Sequence, residues 1–94
     1  MITIKLRAIV GSFAENKDLA RDIRIKQIIP TLNKNEEVIL DFEEIESATQ
    51  SFIHALISEV IRQYGGYVLN KVSFKNCNDV VRGVINIVVD YMQA

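Results

Sequence analysis

The stretch Val38–Tyr64, VILDFEEIESATQSFIHALISEVIRQY, constrains the fold more than any other part of the chain. Val38, Ile39 and Leu40, with Phe42 after Asp41, are apolar without alternating. That pattern marks a strand covered on both faces, in a parallel or mixed sheet with helices packed on it. Glu43-Glu44-Ile45-Glu46 then reads as a short acidic loop. Ser47 with Gln50 three residues on has the form of a capping box, and Thr49 offers a second cap. From there Phe52, Ile53, Leu56, Ile57, Val60, Ile61 and Tyr64 recur at helical spacing. Gly65-Gly66 ends the helix, because glycine enters the left-handed region at little steric cost. A strand feeding a helix through a hydroxyl-bearing turn is where function is expected to sit.

Size and charge narrow the rest. Ninety-four residues suffice for one core and not for two, so residues 1–94 are read as one domain. With 49% hydrophobic and 24% charged residues the composition is that of a globular chain. A net charge of −1 gives no footprint for nucleic acid or an anionic membrane. Cys77 is the only cysteine, which excludes an internal disulfide and a cysteine-based zinc site. No charged-then-apolar leader precedes Ile2, and no apolar run approaches the roughly 18 residues of a spanning helix. A soluble, cytoplasmic chain without a cofactor is expected.

At the start, Ile2, Ile4, Leu6, Ala8 and Val10 alternate with mostly polar neighbours, predicting an edge strand with a wet, basic face. Gly11 breaks it. Ser12 with Glu15 predicts a capped helix from Phe13 or Ala14, striped by Leu19, Ala20 and Ile23. Ile25, Ile28, Ile29 and Leu32 fall off that stripe, and Pro30 lies among them, so the helix is expected to run to about Ile28 and then to kink or make one irregular turn before Asn33-Lys34-Asn35. Tyr67–Lys75 predicts a third, peripheral strand. Asn78 is a good cap for a last helix to about Tyr91, with Val80, Val81, Val84, Ile85, Ile87, Val88, Tyr91 and Met92 over one broad side. The order is β-α-β-α-β-α, an α/β domain with an open sheet of about three strands packed with helices. So small a sheet leaves surface that a second copy or a partner could cover.

Few residues carry chemistry. There is no phosphate loop and no nucleophile elbow. His54, the only histidine, stands on the polar side of the central helix beside Ser51, Ser58 and Arg62, and reads as a surface residue rather than a catalytic base. Ser51, His54, Ala55, Ser58 and Arg62 together read either as a docking surface or as a plain solvated face. Asp41, Glu43, Glu44 and Glu46 lack calcium-loop spacing and read as solvated. Cys77, just before a helix start, reads as a small buried residue. Ser51 satisfies first-turn hydrogen bonds in one reading. In the other it takes a phosphate that the helix dipole accommodates.

The central unit resembles the STAS domain, shared by sulfate transporters and bacterial anti-sigma-factor antagonists. The family signature is an apolar strand ending Asp-Leu, a short loop with valine or isoleucine, then Asp-Ser-Ser-Gly opening a helix. Asp41-Phe42-Glu43-Glu44-Ile45 matches the first half, and Thr49-Gln50-Ser51-Phe52 stands in the second. The chain is more closely similar to short bacterial STAS-like proteins of unassigned function, through its Leu-Asp-Phe strand, its Thr-x-Ser-Phe helix start and Val72-Ser73-Phe74-Lys75-Asn76. The resemblance implies a non-enzymatic regulator. The antagonists are phosphorylated on the serine that corresponds to Ser51 by a histidine-kinase-like ATPase, which the unphosphorylated form binds. Here Thr49 replaces the aspartate and Phe52 the glycine. Expected partner contacts are Thr49, Ser51, His54, Ser58 and Arg62. A nucleotide or small-ligand sensor using the same helix start is the alternative.

Overall fold

The computed structural model describes residues 1–93. Three strands, β1 (Ile2–Lys5), β3 (Val38–Asp41) and β5 (Val72–Lys75), form an all-parallel sheet in the order β1-β3-β5. Ile2, Val38 and Val72 stand side by side, as do Ile4, Leu40 and Phe74. Successive side chains point to opposite faces. These two rows are therefore the inner face, and Ile4, Val38, Leu40 and Val72 are buried in it. The alternate residues Thr3, Lys5, Ser73 and Lys75 are exposed on the other face. Right-handed crossovers between strands taken in sequential order place their helices on one side. The helix α4 (Gln50–Tyr64) packs between α2 (Lys17–Ile23) and α5 (Asp79–Gln93). The outcome is a two-layer α/β domain, and the central strand is the one fully buried at all four positions.

The central unit forms as its sequence predicts, with two changes: helices pack on one face of its sheet and not on both, and the cap is a different residue. Thr49, not Ser47, is the cap of α4: its Oγ1 accepts from the Phe52 amide at 3.1 Å. Ser47 lies instead in β4 (Ser47–Ala48), which pairs in parallel with β2 (Phe13–Ala14). Phe52, Ile53, Leu56, Ile57, Val60 and Ile61 are all buried. Gly65, at φ +86°, ends the helix, a conformation a side chain would strain. Asn78 caps α5, accepting from the Val81 amide at 2.8 Å, and its amide donates to the Glu46 carbonyl at 2.9 Å.

The N-terminal third departs from expectation. The first strand stops at Lys5, not Val10: the Ile9 and Val10 amides fold back onto the Leu6 carbonyl in the short helix α1 (Arg7–Val10). Ser12 and Glu15 do not cap a helix. Phe13 and Ala14 pair with β4 instead, and Asn16 is the cap of α2, accepting from the Asp18 and Leu19 amides. The irregular turn expected near Pro30 is present, but it precedes the proline. A π-helical segment, Arg24–Ile28, runs into α3 (Ile29–Asn33), where Pro30 occupies the first turn, a position that needs no amide donor. The π segment adds a residue to one turn. Ile23 and Ile28, five apart, are consequently both buried, as are Thr31 and Leu32. Arg24 spans to α4, donating to the Ala55 carbonyl at 2.8 Å. The third strand is likewise shorter than predicted, since Gly66–Asn70 is a 3₁₀ helix.

Candidate functional site

The start of α4 opens into a groove of about 510 Å³, lined by Lys17, Gln50, Ser51, His54, Ala55, Ile87, Val88 and Tyr91. Three elements build it. The first two turns of α4 supply Ser51 and His54, the first residue of α2 supplies Lys17, and α5 supplies an apolar wall. Ser51 is the second residue of α4, exposed, with Thr49 capping ahead of it. The buried Phe52 locks the turn from beneath. A hydroxyl here faces the positive end of the helix dipole with the Lys17 ammonium across the groove.

Of the five residues expected to meet a partner, two, Ser51 and His54, line the groove. Thr49 is exposed beside it as the cap. Ser58 is buried at 1% exposure, contrary to its expected place on an accessible face. Its hydroxyl donates to the carbonyl of His54 one turn back and lies 3.3 Å from His54 Nδ1, so it is spent within the helix. Arg62 stands roughly 16 Å up the axis from Ser51 at the helical rise. It pairs with Glu59 and borders a separate cavity with Ile61 and Met92. Lys17, Gln50, Ile87, Val88 and Tyr91 are the groove residues that sequence reasoning missed. The breadth of the apolar side of α5 was the available signal, since eight apolar residues exceed what one packed face needs.

At the carboxyl end of the central strand, Asp41 is buried and hydrogen-bonded into the fold, not solvated as expected. Its Oδ1 accepts from Asn76 Nδ2 and from the Glu43 amide, both at 2.9 Å. Among the described residues no group of three histidine, cysteine, aspartate or glutamate side chains is placed to hold a metal ion. The Asn76 hydrogen bond, then the Glu43 amide, hold the Asp41 carboxyl below its ordinary value of 3.8, with Lys5 and Lys75 adding to the effect. A depressed folded-state value means stability that is present above that ordinary value and is lost as pH falls through the folded one. Asp41→Asn, which keeps an acceptor but cannot titrate, should therefore show a shallower loss of stability on acidification than wild type, read by urea denaturation across the acid range. Equal slopes would show that Asp41 does not couple to folding. Burial pushes the Cys77 thiol up, as fits a half-buried structural cysteine.

A three-stranded parallel sheet whose central strand leads into a hydroxyl-capped helix defines a small α/β domain. The model of the family described as STAS-like domain of unknown function (DUF4325) matches residues 20–82, about two thirds of the chain, and the chain belongs to that family. No curated protein and no solved structure matches it. Among the described residues no helix is long and apolar enough to cross a membrane.

Proposed function

We propose that this STAS-like domain is a non-enzymatic regulatory module that binds a protein partner in the groove at the start of α4. The observation that carries the reading is the composition of that groove: an exposed Ser51 and His54 on one wall, the half-exposed Ile87 and the exposed Tyr91 on the other, and Lys17 at its side. Apolar anchors beside a few polar groups are what protein interfaces concentrate their energy on. In this reading Ser51 is the regulatory position, and phosphorylation there adds close to two negative charges inside the contact. The resemblance to anti-sigma-factor antagonists points to a histidine-kinase-like ATPase as the partner.

The test is a pull-down from native-host lysate with wild-type and Ser51→Asp baits, followed by titration of the recovered partner. Ser51→Asp is expected to weaken the complex about tenfold or more, because an anion enters a largely apolar contact. Equal affinity would remove the switch and leave the binding. The Lys17 ammonium beside the α4 terminus favours one second reading, a small anionic ligand held in the same groove. A specific rise in melting temperature with one member of a nucleotide and phosphate panel, and no partner from either bait, would establish that reading instead.

A further inference from the structure

The last helix carries more apolar surface than its own fold uses. Val81, Ile85 and Val88 are buried, and Met92 continues their line half-buried against the core. A second stripe runs alongside, one residue earlier at each step: Val80, Val84, Ile87 and Tyr91. Val80 is 58% exposed, Ile87 53% and Tyr91 75%, with Val84 half-buried between them. Steps of four, three and four residues are those of a coiled-coil seam. On a helix the two stripes are separated by one residue's rotation, roughly 100°. The core therefore cannot take both, and α4 covers only the base of the second.

We propose that this stripe is the seam of a symmetric homodimer, α5 packing antiparallel on α5 of a second copy. Three observations favour a second copy over any other occupant. First, a four-three-four stripe reads the same from either end, so a two-fold axis between Val84 and Ile87 sets Val80 against the partner's Tyr91 and Val84 against the partner's Ile87. Each contact then matches a small side chain with a larger one, the arrangement that lets facing layers interlock. Second, the flank of the seam does not obstruct approach. Gly83 lies beside it with open space where a side chain would stand, and in the antiparallel register Asp90 meets the Gly83 region of the other copy instead of its own counterpart. Third, a net charge of −1 sets up almost no repulsion between copies. The stripe and its flanks would bury on the order of 1,000 Å² in total, near the lower bound for a specific interface. The dimer is thus a reversible one. Ile87 and Tyr91 also wall the groove at α4, so self-association and a groove-bound protein draw on the same side chains and exclude one another.

Sedimentation equilibrium on the full chain tests this, over a concentration series from low to high micromolar. Wild type should pass from monomer to dimer and go no further. Ile87→Asp should raise the dissociation constant at least about 100-fold by placing an unpaired charge in the seam, with helix content unchanged and, at concentrations where wild type is monomeric, the same melting temperature, because Ile87 lies outside the core. The register is tested separately in a Cys77→Ser background. Val80→Cys with Tyr91→Cys should cross-link two chains on oxidation, and Val80→Cys alone should not, because the antiparallel register holds the two copies of position 80 roughly 16 Å apart along the helix axis and only a parallel pairing brings them together. A wild-type chain that stays monomeric throughout, a dimer that survives Ile87→Asp, or efficient cross-linking through position 80 alone would each overturn the proposal.

Discussion

Phe52→Ala is expected to destabilise the fold by about 4 kcal/mol, a large share of the 5–15 kcal/mol that holds a typical domain together. The side chain is fully buried in the first turn of α4, while its amide bonds to the Thr49 cap. Removing the ring leaves a cavity under the turn that presents Ser51 and His54. Both the core and the groove therefore depend on one residue. Urea denaturation with Ser51→Ala as the control separates the two effects, since Ser51 is exposed one position earlier and its loss should move stability little. The same burial explains how a phenylalanine stands where the resembling antagonists carry glycine: here the turn is fastened to the core from below. A Phe52→Ala variant within about 1 kcal/mol of wild type would mean that the helix start is positioned by its cap alone.

Ser58→Asp is the second large effect, roughly 3–5 kcal/mol at neutral pH. Ser58 is 1% exposed and donates to a carbonyl of its own helix. An aspartate there would be an unpaired buried charge, and burial would raise its folded-state pKa. The sign follows: the penalty is full above the folded value and fades as the carboxyl protonates at lower pH. Thermal melts at neutral and mildly acidic pH should show the variant regaining stability relative to wild type on acidification. Ser58→Ala should be close to neutral, because it removes a hydroxyl that was bonded only within the helix. The contrast with Ser51→Asp is informative, since one substitution at two serines seven residues apart should alter binding in one case and folding in the other. A Ser58→Asp variant that melts like wild type would place Ser58 on the surface.

These two residues also show what was legible in the sequence. The Val38–Tyr64 unit could be read because the burial of a central parallel strand and the 3.6-residue period each leave an uninterrupted apolar signature, and because Thr49 and Gly65 punctuate the helix. Ser58 misled because polarity alone put it on the wet side. The buried face of α4 is wide, packed by α2 on one flank and α5 on the other, and it takes in a small hydroxyl that can bond back to its own helix. The start of the chain was misread for a different reason. Leu6 to Val10 alternate well enough for a strand, and nothing local reveals that the chain turns back on the Leu6 carbonyl. Phe13-Ala14 form a strand only because Ser47-Ala48 lie beside them, a pairing across more than thirty residues. The π segment was visible as a fault in the stripe between Ile23 and Ile28, readable as an irregular turn but not as a π-helical one. Of the groove, the α4 wall was readable from Thr49 and Ser51. The α5 wall was not, since position along a helix does not say which neighbour it leans on.

The one-sided sheet has a consequence for how this domain can change. In all three strands the inward residues carry even numbers: 2 and 4, 38 and 40, 72 and 74. The outward ones, Thr3, Lys5, Ile39, Asp41, Ser73 and Lys75, carry odd numbers. Core and outer surface thus interleave along the chain while staying on opposite sides of a single layer of backbone. At the exposed odd positions a substitution meets only solvent and its strand neighbours. A lineage built on this scaffold could rewrite the outer chemistry of its sheet residue by residue while every even position held the core unchanged.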